Sequence, residues 1–141
     1  MSVRQRVPVS EIMSTDLIVL NLNDGLDKAE RLFKEHSIRH IPVIDGDKIV
    51  GMLSLTDLLR ISFADGAYED EENVETIVYN MFTIAQVMAK NVNSVSPKTT
   101  IKEVAQILAA REYHALPVVE EEKLLGIVTT TDLINYLLEQ Y

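Results

Sequence analysis

The chain has 141 residues, 47% of them apolar and 25% charged, which suits one globular domain or two half-sized units. It contains no cysteine, which excludes disulfides, thiolate metal sites, iron–sulfur clusters and thiol nucleophiles. A net charge of −9 argues against nucleic acid and anionic membrane surfaces as partners.

Taken in chain order, Arg4 and Arg6 are not followed by the apolar stretch of a secretory signal, and no run approaches the length of a membrane span. A soluble, cytoplasmic protein is therefore expected. Leu17-Ile18-Val19-Leu20 predicts a short strand. Asp24 stands at an expected helix N-cap, ahead of Leu26, Ala29, Leu32 and Phe33 at helical spacing. His36 falls at the end of that helix, where a cation suits the dipole. Apolar runs at 41–44 and 49–53 flank Asp45-Gly46-Asp47-Lys48 and predict a hairpin, and Leu58, Leu59 and Ile61 begin a second helix.

Residues 64–82 then read as a connector. Asp65, Glu69, Asp70, Glu71, Glu72 and Glu75 carry −6 of the −9. The spacing of Val74, Ile77, Val78 and Met81 predicts a helix that docks an apolar face. A solubilising connector accounts for the acids, and an acidic docking surface for a basic partner is the alternative. Further on, Thr100-Ile101-Lys102-Glu103 has the capping-box pattern, and Ile101, Val104, Ile107 and Leu108 form the apolar stripe of a helix.

A shift of 75 residues lays the chain on itself without a gap, residues 12–61 on 87–136. Ile41-Pro42-Val43-Ile44 falls on Leu116-Pro117-Val118-Val119, and Lys48-Ile49-Val50-Gly51 falls on Lys123-Leu124-Leu125-Gly126. Met13 falls on Met88, where a core or wall-lining role is expected. Each copy reads strand, helix, strand, strand, helix. Two helices do not cover both faces of a three-stranded sheet, so two copies packed into one α/β (α+β) globule are expected. The boundaries are 7–63 for the first repeat, 64–82 for the connector and 83–141 for the second, making 1–141 one module.

The motif that recurs is Gly51-Met52-Leu53-Ser54-Leu55-Thr56-Asp57, matched by Gly126-Ile127-Val128-Thr129-Thr130-Thr131-Asp132. Ser54-x-x-Asp57 and Thr129-x-x-Asp132 are capping signatures, which is the structural explanation. A helix N-terminus also offers free N–H groups to phosphate, hydroxyls donate to phosphate oxygens, and a carboxylate accepts from both hydroxyls of a ribose. Capping alone does not require Thr56 and Thr131.

On these residues the chain resembles tandem CBS domains, over roughly residues 7–139. The resemblance implies an intramolecular pair of repeats, packed about a pseudo-two-fold axis, with clefts for AMP, ADP, ATP or S-adenosylmethionine. It also implies a homodimer. Asp57 and Asp132 match the ribose-gripping aspartate, and Ser54, Thr56, Thr129 and Thr131 match hydroxyls near ribose and phosphate. The family pattern draws the adenine wall from the opposite repeat, grouping Asp132 with Thr15, Ile18, Ile38, His40 and Pro42. It groups Asp57 with Lys90, Asn93, Tyr113, Ala115 and Pro117. Arg39 and His114 align with phosphate-contacting basic residues; guanidinium suits phosphate, whereas both His40 and His114 are equally explained as structural imidazoles. Ala115 in place of His40, and Asn93 in place of Ile18, make the Asp132 site the better equipped.

No Walker loop, His-Glu-x-x-His or Ser-His-Asp context occurs, so neither a catalytic site nor a metal site is expected. The expected function is a non-catalytic adenosine-nucleotide sensor that regulates an unidentified partner, without a catalytic cofactor. The alternative is an interaction protein with degenerate clefts, working through its dimer faces and acidic connector.

Overall fold

A computed structural model describes residues 6–64, 79–111 and 113–141. The acidic run 65–75 and Val74, Ile77 and Val78 lie outside the described residues. The chain divides into two compact units, one of residues 18–91 and one of residues 1–17 with 92–141.

In the first of these, β1 (Leu20–Asn21) leads to α1 (Leu26–His36), β2 (His40–Asp45), β3 (Lys48–Ser54) and α2 (Leu55–Ala64). Strand β1 runs parallel to β2, with Leu20 opposite Val43, and β2 is antiparallel to β3. The predicted strand at 17–20 is thus corrected: pairing begins only at Leu20, opposite Val43, and continues to Asn21, opposite Ile44. The α1 stripe buries Leu26, Ala29 and Phe33 as its spacing predicts. Its N-cap is Gly25, not Asp24. The Asp24 carboxylate turns back instead, accepting from the Asn21 N–H at 2.8 Å and from Lys28 at 3.1 Å. Burial pushes this carboxyl up, but the Asn21 N–H and the Lys28 ammonium outweigh it, leaving the group below the usual carboxylate range.

The second unit contains α4 (Ile101–Arg111), β4 (Ala115–Glu120), β5 (Lys123–Thr129) and α5 (Thr130–Glu139). The Thr100 hydroxyl accepts from the Glu103 N–H at 3.1 Å, as the capping pattern predicts. Its counterpart of β1 is reduced to one parallel bridge, Val95 to Val118. The Val95 N–H donates to the carbonyl of Pro117, which as a proline offers the strand only an acceptor. Both hairpins shift register at the same repeat position, between Val43 and Ile44 and between Val118 and Val119. The duplication therefore extends to the bulge.

The segments that precede the two repeats change places. Val9 and Ile84, 75 residues apart, are both fully buried. Val9 belongs to the core of the unit holding the second repeat, and Ile84 to the core of the unit holding the first. Ser14 and Ile127 exchange backbone hydrogen bonds of 2.8 and 3.0 Å, and Ala89 and Met52 do so at 2.9 and 3.0 Å. A short helix, α3 (Ile84–Val87), leads into the latter pair, closed by a Thr83–Gln86 capping box. Burying one such aliphatic side chain contributes about 2 kcal/mol, so each leading segment is held by its apolar anchor as well as by its ladder. Of the connector's predicted apolar face, Met81 is 64% exposed, and Tyr79 is buried instead. Tyr79 has the larger apolar body, and its hydroxyl has a partner in Glu30.

The hairpin turns differ. Gly46 supplies the positive φ in the first, whereas Glu121 and Glu122 adopt φ 51° and 70° in the second. Such left-handed pairs favour Asn-Gly, so Glu121→Asn is expected to stabilise the protein by about 0.5 kcal/mol. A thermal melt checks this as a rise of roughly 2 °C.

Candidate functional site

Each repeated motif closes as a helix-capping turn. At the start of α2, the Ser54 N–H donates to Asp57 Oδ2 at 3.2 Å, and the Asp57 N–H donates to Ser54 Oγ at 3.0 Å. At the start of α5, the Thr129 N–H donates to Asp132 Oδ2 at 2.8 Å, and the Asp132 N–H donates to Thr129 Oγ1 at 3.2 Å. The Thr129 hydroxyl also donates to Asp132 Oδ2 at 3.2 Å. The structural explanation of the motif is thus realised: capping fixes the carboxylates at the positive end of the helix dipole. Thr56 and Thr131 are exposed and take no part in these capping bonds. Both aspartates are half-buried.

The basic residues stand beside these turns. His40 is the strand partner of Ser54, and the Leu55 N–H donates to the Arg39 carbonyl at 2.9 Å. Arg39, His40, Ser54, Thr56 and Asp57 thus share one corner of the 18–91 unit. In the other unit, Ala115 is the partner of Thr129, and the Thr130 N–H donates to the His114 carbonyl at 3.0 Å. His114, Ala115, Thr129, Thr131 and Asp132 form the matching corner. Arg39 and His114 are exposed, His40 is half-buried, and Pro42, Ala115 and Pro117 are buried.

Of the residues grouped with Asp132 by resemblance, Thr15 lies in the same compact unit, next to the Ser14–Ile127 ladder. Ile18, Ile38, His40 and Pro42 belong to the 18–91 unit. Of those grouped with Asp57, Lys90 shares its unit, and Asn93, Tyr113, Ala115 and Pro117 belong to the other.

Two grooves mark the unit of the second repeat. One, of about 630 Å³, runs between α4 and α5 and is lined by Ala105, Leu108, Tyr113, His114, Leu133 and Ile134 among others. Its lining includes neither Asp132 nor its capping hydroxyl. The other, of about 520 Å³, is lined by Asn93, Ser94, Glu103 and Arg111 with the intervening face of α4.

One charged residue escaped the motif reading. Arg60 Nη1 lies 3.6 Å from Asp57 Oδ1. The Asp57-x-x-Arg60 spacing, one helical turn, is the signal that reveals it.

The sequence profile of the CBS domain matches residues 9–64 and 84–139. The chain is 31% identical over 119 residues to the inosine-5'-monophosphate dehydrogenase of Korarchaeum cryptofilum, covering 84% of this chain and 22% of that protein. It spans 46% and 24% of the length of two further curated relatives. Among solved structures, CBSX2 in complex with AMP superimposes with a TM-score of 0.78 at 24% identity, covering 95% of this chain and 98% of that one. The CBS domain pair of protein MJ0100, in complex with 5'-methylthioadenosine and S-adenosyl-L-methionine, gives 0.79 at 23% identity, covering 96% and 98%.

Proposed function

The chain belongs to the CBS domain family, and from that premise we propose that it is a non-catalytic adenosine-binding regulatory module. The observation that carries this reading is the duplicated turn, in which a carboxylate is fixed at a helix N-terminus beside an exposed threonine and basic residues. A ribose presents two vicinal hydroxyls, which the carboxylate accepts. The first-turn amides, Thr56 or Thr131, and Arg39 or His114 suit a phosphate. The AMP held by CBSX2, and the 5'-methylthioadenosine and S-adenosyl-L-methionine held by MJ0100, share the adenosine that these turns would read. AMP, ADP and ATP fit the basic residues best, and S-adenosylmethionine is the cationic variant of the same class.

Regulation follows if the ligand binds two states of the module unequally, since only differential affinity shifts an equilibrium. A homodimer and a regulated protein partner in the cytoplasm belong to the same reading. Among the described residues, no helix is long and apolar enough to cross a membrane.

The second reading, an interaction protein with degenerate sites, is favoured by α5, where Ile134, Leu137 and Leu138 are 56%, 54% and 63% exposed. A thermal shift separates the two. AMP at about 100 times its dissociation constant stabilises by about 2.7 kcal/mol, a rise of roughly 9 °C. No shift with AMP, ATP or S-adenosylmethionine would leave the interaction reading in possession.

A further inference from the structure

The carboxylates that open α2 and α5 share one backbone hydrogen bond and differ in their other partners, Asp132 Oδ2 accepting also from the Thr129 hydroxyl at 3.2 Å. In both, Oδ2 accepts from the capping residue's backbone N–H. At Asp57 the second oxygen, Oδ1, faces the Arg60 guanidinium at 3.6 Å. The position 75 residues after Arg60 is Asn135, and among the described residues no cation forms an ion pair with Asp132.

A carboxylate that grips a ribose offers one oxygen to each hydroxyl. Asp132 Oδ1 is available for this, whereas Asp57 Oδ1 already has a cationic partner within its own helix. We propose that Arg60 is a specificity-determining residue: an internal counter-ion that competes with the ribose for Asp57 and weakens the first-repeat site relative to the second. This rests on the adenosine-binding reading given above. It makes the ranking of the two sites a property of the helix that carries each aspartate.

The size of the effect follows from exposure. The Arg60 side chain is 72% exposed and that of Asp57 19%, so the pair is a surface ion pair seen by solvent on one side. Displacing such a partner costs up to about fivefold in affinity. The competition is screened by salt, since the Debye length falls to about 3 Å at 1 M. A guanidinium at this place also attracts the phosphates of a nucleotide. The uncharged nucleoside adenosine therefore isolates the competition from that attraction.

The test is calorimetric titration of the full chain with adenosine. In an Asp132→Ala background, which leaves the Asp57 site, Arg60→Asn is expected to tighten binding by up to about fivefold at low salt. The gain shrinks at about 1 M salt. In an Asp57→Ala background, Asn135→Arg is expected to weaken binding by a similar factor. Binding that is lost on removing both aspartates yet indifferent to positions 60 and 135, or that weakens in Arg60→Asn, overturns the role of Arg60 alone. Adenosine binding that survives the loss of both aspartates, or that is absent from the unaltered chain, overturns the ribose assignment and the role of Arg60 together.

Discussion

Gly51→Val is expected to lower the stability of the protein by about 3 kcal/mol, read as a fall of roughly 10 °C in Tm. A Cβ at position 51 would fall on the Met88 sulfur and stand 2.8 Å from the Ala89 carbonyl oxygen. The methionine is the end of a flexible chain and can move. The carbonyl cannot, because it accepts from the Met52 N–H at 3.0 Å while the Ala89 N–H donates back to the Met52 carbonyl at 2.9 Å. Making room therefore means breaking the ladder that holds the exchanged segment. Gly126 repeats the arrangement, its Cβ position lying 2.8 Å from the Met13 sulfur and 2.9 Å from the Ser14 carbonyl oxygen. Neither glycine has a positive φ, so close approach, not backbone conformation, demands it. Urea or thermal unfolding measures the effect. A Gly51→Val protein as stable as the parent would mean that the leading segment is not held against β3.

Asp132→Ala is expected to weaken AMP binding by about 100-fold, from the loss of two hydrogen bonds between ribose hydroxyls and a charged acceptor. The same change removes half of the α5 capping box, costing about 1 kcal/mol of stability. Asp132→Asn separates the two effects, because its carbonyl oxygen still accepts from the Thr129 N–H while the negative charge is gone. Asp57→Ala is expected to cost less affinity, since that carboxylate is already engaged by Arg60. Calorimetry on both variants decides the ranking. Equal losses, or a greater loss from Asp57→Ala, would reverse it.

The local structure was legible wherever local chemistry sets it. The α1 stripe, both hairpins and the Ser54–Asp57 and Thr129–Asp132 turns follow from spacing within a few residues. Where the structure departs from the local pattern, a competing contact or pairing decides. Asp favours caps, but the Asp24 carboxylate finds better partners in the Asn21 N–H and Lys28. Strand β1 is Leu20–Asn21 rather than 17–20, since an apolar run does not show where pairing with β2 begins. Periodicity places Met81 inside, but Tyr79 brings a larger apolar surface and a hydroxyl matched to Glu30, and it is Tyr79 that is buried. Arg60 was within reach of the sequence, since i,i+3 spacing places it on Asp57, but a motif read as a run of identities passes over a position where the copies differ.

By itself the sequence determined the duplication, the order of elements in each copy, and the family to which the hydroxyl–carboxylate turns belong. Those properties are periodic or local, and a chain carries them in the spacing of its residues. Only the tertiary structure decided that Val9 serves the unit of the second repeat and Ile84 that of the first, and that Met13 and Met88 cross the two glycines. Each of these is set by which backbone approaches which, across sequence separations over which spacing carries no information.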